Sequence, residues 1–202
     1  MEDLESVVLN CSNWELDNLA DFIVTNHHQY VRKSVIAIEE QCAQLADQYS
    51  CYPQLQQITE VFQKAAADLC ENMNEEEQIL FPYIRFQVHI KKGNIARSFL
   101  PSGSITHRIN HMEMQHTSVK EAFKIIRELS NNYRQQSHGC ATCAPLFQLL
   151  EEFDNDLKQH FNLETKLLFS KAIQLEKEYL EQPDEIKIVK AEARIENISV
   201  LL

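Results

Sequence analysis

Two stretches, "ENMNEEEQILFP" at residues 71–82 and "QHFNLETKLLFS" at residues 159–170, say nearly the same thing. With Asn72 set over His160, Glu76 falls on Glu164, Ile79-Leu80-Phe81 on Leu167-Leu168-Phe169, and Pro82 on Ser170. Each copy places a Glu four residues after a His or an Asn, one turn along the same face of an α-helix. The apolar residues that follow keep that periodicity, so both carboxylates point toward a core rather than toward water. The pair predicts two amphipathic helices carrying matched, inward-facing carboxylates.

The rest of the chain agrees with an all-α reading. It has only three Gly and five Pro in 202 residues, little β-branched alternation, and abundant Glu, Gln, Leu and Ala. That length suffices for one domain with a single core. A net charge of -11 argues against nucleic acid or an anionic membrane face as a partner. The opening "MEDLESVVLN" is acidic and lacks the features of a signal peptide. No stretch approaches the roughly 20 apolar residues of a membrane span, so a cytoplasmic protein is expected. Six Cys then read as reduced thiols. Cys140 and Cys143 form a C-x-x-C without the second ligand pair of a zinc site or the βαβ context of a redox motif. They read as two loop thiols, with regulatory oxidation as the alternative.

Breakers divide the chain into four helices. "NCSN" opens the first near Trp14, and "YSCYP" separates it from a second that runs from about Gln54 to Phe81-Pro82 or a little beyond. "KKGNIARSFLPSGS" precedes a third from about Ser104. "NNYRQQSHGCATCAP" precedes a fourth from about Pro145 to Tyr179, with Pro in the first turn, where its missing N–H costs nothing. The expected architecture is an up-down four-helix bundle over residues 1–178, with a C-terminal tail over 179–202 that packs on the bundle or contacts another chain.

Steps of three and four give the seams. Helix one contributes Val24, His28, Val31, Val35, Ile38, Cys42 and Leu45; helix two contributes Leu55, Ile58, Phe62, Ala65, Leu69, Asn72, Glu76 and Ile79. Helix three contributes Ile105, Ile109, Met112, His116, Val119, Phe123 and Ile126; helix four contributes Leu146, Leu150, Phe153, Leu157, His160, Glu164 and Leu167. The polar intruders are His28, Asn72, Glu76, His116, His160 and Glu164. A buried ionised carboxylate needs a partner, and no Lys or Arg shares these seams. Imidazole and carboxylate are ordinary ligands of transition metals, so a cation between the helices would supply the missing charge. Two carboxylates on opposed helices are placed to bridge two ions. A satisfied polar core is the competing reading, because a single core His usually hydrogen-bonds and one of Glu75-Glu76-Glu77 must face water. His27 could replace His28 under a small helix rotation. His111 is a reserve ligand off the His116 stripe, and His89, His107 and His138 lie in or near connections.

At these residues the sequence resembles the hemerythrin-like, HHE cation-binding domains, and within them the repair-of-iron-centres proteins with a non-haem di-iron site. The carrying segments are "WELDNLADFIVTNHHQYVR", "EEEQILFP", "HMEMQH" and "DLKQHFNLETKLLF", spanning residue 14 to about 172. The resemblance implies one His on helix one, H-x-x-x-E on helix two, one His on helix three and H-x-x-x-E on helix four. Here these are His28, Asn72 with Glu76, His116, and His160 with Glu164. Asn72 stands where the family has His, and an amide carbonyl is a weaker iron ligand than imidazole. One of two irons would then bind loosely, stay open to a small ligand, or be absent. Members of the repair family usually carry an N-terminal domain with adjacent cysteines; with the bundle beginning near residue 14, that domain is expected to be missing.

The resemblance implies a metal-binding stress-response protein rather than a classical enzyme. It would restore or supply iron to iron-sulfur proteins after nitrosative or oxidative damage, with Glu76 and Glu164 bridging, His28 and His160 on one iron, and His116 with Asn72 on the other. The alternatives are a hemerythrin-like carrier or sensor of O2 or NO, and a degenerate bundle serving as a scaffold. Association of two copies is left open.

Overall fold

Four rods carry the predicted seams. In the computed structural model, which describes residues 10–48, 52–94, 104–134 and 141–181, the first rod, α1, covers 16–44 and joins Leu16–Phe22 to Gln29–Gln44. The second, α2, covers 53–91 and joins Pro53–Glu75 to Phe81–Lys91. The third, α3, is Ile105–Leu129. The fourth, α4, covers 144–181 and joins Ala144–Leu163 to Ser170–Glu181. Pro53 and Pro145 sit in first turns, as their missing N–H groups favour. Ser104 caps α3 by accepting the Thr106 N–H at 3.1 Å. Gly93, at φ +76°, lets α2 end: its N–H reaches the Ile90 carbonyl and the Asn94 N–H reaches that of His89. There is no strand among the described residues, and no described helix is long and apolar enough to cross a membrane.

The core is two apolar slabs with a polar layer between them. One slab holds Val31 and Ile38 of α1, Phe62 and Leu69 of α2, Val119 and Phe123 of α3, and Phe153 and Leu157 of α4. The other holds Leu19 and Ile23 of α1, Leu80 and Ile84 of α2, Ile105 and Ile109 of α3, and Leu168 and Ala172 of α4. Residue numbers rise from the second slab to the first along α1 and α3, and the other way along α2 and α4. Successive rods are therefore antiparallel, which is the up-down order expected from the short connections. Phe62, Phe123 and Phe153 meet with ring centroids 5.4–6.3 Å apart. Burying each such ring contributes roughly 1.5–3 kcal/mol, so the slabs hold the rods in register against the cost of the polar layer.

Three of the rods widen at that layer. Ile23–His28, Glu76–Leu80 and Glu164–Phe169 are π turns, each containing or beginning at one of the singled-out residues. The Gln29 N–H bonds the Val24 carbonyl and the Phe81 N–H bonds the Glu76 carbonyl, five residues back instead of four. The extra residue corrects the predicted register. Ile79, placed on the seam by three-four counting, is 48% exposed, while Leu80 and Phe81 are buried in its stead. Val24 is half-buried and Ile23 takes the core position. The widened turn also lets Pro82 sit inside a continuous rod, so α2 runs nine residues past the Pro82 expected near its end, to Lys91. The fourth rod continues through Glu181, two residues beyond the Tyr179 expected near its end. Residues 182–202 lie outside the described residues, as does Cys140. Cys143 closes the turn Ala141–Cys143 that leads into α4, and it is buried in the first slab.

Candidate metal centre

All six singled-out residues are buried in the polar layer: His28, Asn72, Glu76, His116, His160 and Glu164. On α4, His160 and Glu164 lie one turn apart, and His160 Nε2 is 2.9 Å from Glu164 Oε1. From α1, His28 Nε2 comes within 3.2 Å of His160 Nε2, 3.5 Å of Glu76 Oε2 and 3.7 Å of Glu164 Oε1. From α3, His116 Nε2 faces the other oxygens, 3.5 Å from Glu76 Oε1 and 3.3 Å from Glu164 Oε2. Each carboxylate thus turns one oxygen to the His28–His160 side and the other to the His116 side. Ligand atoms of His28, Glu76, His160 and Glu164 lie within 4.8 Å of one another, close enough for one ion to meet all four.

The chemistry of the donor set fits a cation. Seven buried side-chain atoms here have no hydrogen-bond partner: Asn72 Oδ1, both oxygens of Glu76, both ring nitrogens of His116, His160 Nδ1 and Glu164 Oε2. Buried polar atoms are satisfied as a rule, because leaving one unpaired costs its full desolvation. A cluster of orphaned acceptors and imidazoles is what a metal ion would satisfy at once. The facing nitrogens of His28 and His160 make the same point, since two imidazoles meeting nitrogen to nitrogen can share one proton or one cation. A buried His and Glu cluster that could hold a metal is therefore present.

Without a cation, protons do part of that work. Burial disfavours the imidazolium of His28, but the adjacent carboxylates of Glu164 and Glu76 outweigh it and push its pKa up to about 10. Burial likewise opposes ionisation of Glu164, yet His160, His28 and His116 hold it well below the usual carboxylate range. Glu164 therefore stays an anion, with the protonated His28 beside it.

Around this centre lie side chains that three-four counting did not reach. His28 Nδ1 donates to Glu77 Oε1 at 2.7 Å, and Arg32 Nη1 donates to the same oxygen at 2.9 Å. Burial raises the pKa of Glu77, but hydrogen bonds from His28 and Arg32 bring it below its ordinary value. Such a carboxylate fixes the imidazole's tautomer and leaves Nε2 facing the centre. Of the run Glu75-Glu76-Glu77, Glu76 faces the centre and Glu77 braces it from behind. His27 is buried too, but its Nδ1 is 2.9 Å from Asp156 Oδ1 and its ring stacks on His160. It backs the centre, and His28 occupies it. The His116 ring lies between Phe161 and Phe169, with centroids 4.1 and 5.9 Å away. Asn72 donates its amide to Gln115 Oε1 at 2.8 Å and to Met112 Sδ at 3.0 Å.

No family model matches the chain. Curated proteins do. A protein of Haemophilus influenzae named "Probable iron-sulfur cluster repair protein" is 32% identical over 111 residues. The "Iron-sulfur cluster repair protein YtfE" of Edwardsiella ictaluri is 28% identical over 179 residues, and that of Escherichia coli O81 is 25% identical over 159. The chain is similar in sequence to proteins named for iron-sulfur cluster repair. The matches cover 55%, 86% and 78% of this chain, and 44%, 74% and 66% of those three relatives' own lengths. Against the Haemophilus protein, the chain spans less than half of the relative. With the helical bundle and its buried His and Glu cluster, these repair-protein relatives agree with the hemerythrin-like, repair-of-iron-centres resemblance carried by the four segments.

Proposed function

We propose that this chain holds two non-haem irons in its polar layer and supplies iron to damaged iron-sulfur clusters under nitrosative or oxidative stress, in the cytoplasm. The observation that carries the reading is the split of each central carboxylate, one oxygen facing His28 and the other facing His116. Glu76 and Glu164 would each offer one oxygen to either side, with His28 and His160 holding iron at one position and His116 with Asn72 Oδ1 holding it at the other. The first has four protein donors. The second has three strong or bridging donors and a neutral amide, so its iron is the more readily lost. When bound, iron supplies one-electron chemistry and a ferrous ion that a damaged cluster can take up. The chain's own residues would keep that ion from bulk water: phenyl rings cover the imidazoles of His116 and His28, and Glu77 fixes the imidazole of His28.

The relatives' names support clusters as the target. Anaerobic purification with a count of iron per chain, followed by mixing with a nitric-oxide-damaged [4Fe–4S] enzyme, tests the proposal. Iron loading with recovery of the damaged enzyme is expected; full loading without recovery would reject the repair role. The second reading, reversible capture of O2 or NO, draws on the weak donor at Asn72, which leaves the His116 position open to a small ligand. Gas binding without transfer of iron would favour it.

A further inference from the structure

A cavity of about 140 Å³ opens between α3 and α4. Phe123, Leu157 and Phe161 give it an apolar floor, and Lys120, Arg127, Lys158 and Asp154 surround it. Helical spacing builds the arrangement. Arg127 lies two turns beyond Lys120 on α3, and Lys158 lies one turn beyond Asp154 on α4, so each rod turns these side chains to one face. Because the rods run antiparallel, Lys120 meets Phe161 at one end and Arg127 meets Asp154 at the other.

The charges around the cavity do not balance. Asp154 is buried and accepts two bonds from Arg127 Nη1, at 2.7 and 2.8 Å, and one from Lys158 Nζ at 2.8 Å. One cation would neutralise that carboxylate, and two already hold it. Lys120 is a third, and its ammonium lies 5.3 Å from the centroid of the Phe161 ring rather than on a carboxylate. Three cations against one anion leave two positive charges in excess, on a chain whose net charge is -11. Asp154 occupies only Nη1 of the Arg127 fork, and the Arg127 and Lys158 side chains are 30% and 45% exposed. Low-dielectric walls focus such a field on whatever enters. An apolar hollow with a few charged groups at its edge is the ordinary form of a small-molecule site.

We propose that this cavity reversibly binds a small organic carboxylate, its apolar body on Phe123, Leu157 and Phe161 and its charge among Lys120, Lys158 and Arg127. The size limits the ligand: an apolar cavity of roughly 150 Å³ admits one benzene ring. A single ring or a branched chain bearing a carboxylate fits, whereas a nucleotide or a peptide does not. An inorganic anion would meet the cations and leave the floor uncovered, and a neutral ring would cover the floor and leave the excess charge unmet. This binding needs no metal in the polar layer, so it stands or falls apart from the di-iron reading.

Calorimetric titration of the full chain with benzoate tests the proposal. Benzoate should bind once per chain with a dissociation constant at or below about 1 mM. Benzamide, which lacks the charge, and acetate, which lacks the ring, should each bind at least about tenfold more weakly. Lys120→Ala breaks no ion pair among the described residues, and Lys158→Gln leaves Arg127 on Asp154. Each should weaken benzoate at least about fivefold. Lys64→Gln, an equal charge change at an exposed position of α2, should leave the affinity within about twofold of the parent. Failure of benzoate to bind, benzamide binding as tightly as benzoate, or benzoate affinity indifferent to both cavity lysines would overturn the proposal.

Discussion

Removing Glu77 probes the centre from behind without touching any ligand. In Glu77→Ala, His28 Nδ1 loses its acceptor at 2.7 Å and Arg32 loses its partner at 2.9 Å. The Arg32 contact is a partly exposed ion pair with side chains 38% and 29% accessible, worth no more than about 1 kcal/mol. The His28 contact matters more. Its imidazole is fully buried, and without the carboxylate Nδ1 has no acceptor to fix its proton, leaving only ring packing to aim Nε2 toward Glu76 and Glu164. Deleting such a partner behind a ligating His typically costs 10–100-fold in metal affinity, or about 1.4–2.7 kcal/mol. The loss should fall on the His28–His160 position alone, because His116 shares no hydrogen bond with Glu77. Anaerobic titration with ferrous iron against a competing chelator reads two binding steps, and only one should weaken. Unchanged affinity at both steps, or equal weakening of both, would refute the assigned role of Glu77.

Asn72→His should tighten the other position and slow iron release by roughly tenfold, the flexible Met112 giving way to the larger ring; an unchanged release rate would contradict the account of that residue. Glu164→Ala should abolish stable iron binding. It should also cost the loaded protein more stability than the metal-free one, by about 2.7 kcal/mol when free iron is a hundredfold above its dissociation constant, as thermal melts with and without iron would show. In the metal-free protein the raised pKa of His28 contributes stability that is present below about pH 6.5 and lost as pH climbs toward 10. The lowered pKa of Glu164 contributes stability present above about pH 4.5 and lost on acidification. The metal-free Tm should therefore fall from about pH 6 to about pH 9, and His28→Gln should flatten that slope; a metal-free Tm that rises over that range would count against the assignment. Iron affinity should run the opposite way, since His28 must shed its proton to bind metal.

The sequence exposes the six central residues because helical counting is robust over the straight parts of each rod. Val31, Phe62, Phe123 and Phe153 fall where steps of three and four put them, and so do His28, Glu76, His116 and Glu164. Counting fails where the backbone departs from 3.6 residues per turn. One extra residue in the π turn at 76–80 sends Ile79 to solvent and brings Leu80 inward, and nothing in the spacing of "EEEQILFP" marks that slip except Pro82 inside an otherwise helical run. The supporting residues were hidden for a different reason. Glu77, Arg32 and Asp156 are polar groups on partly exposed faces, where sequence offers no way to tell a solvated charge from one that braces a buried His. The repeated Glu75-Glu76-Glu77 held the hint, since three consecutive carboxylates on a helix must point in three directions. Gln115 and His111 show the same limit: both lie just off the His116 stripe, and their partners, Asn72 and Glu75, sit on the facing α2.

Anomalous diffraction at the iron edge, from crystals grown anaerobically with ferrous salt, tests the central claim most directly. The account predicts two peaks inside the bundle, roughly 3.5–4 Å apart, with Glu76 and Glu164 each touching both. No peak between the four helices, or a single ion lying away from both carboxylates, would contradict it.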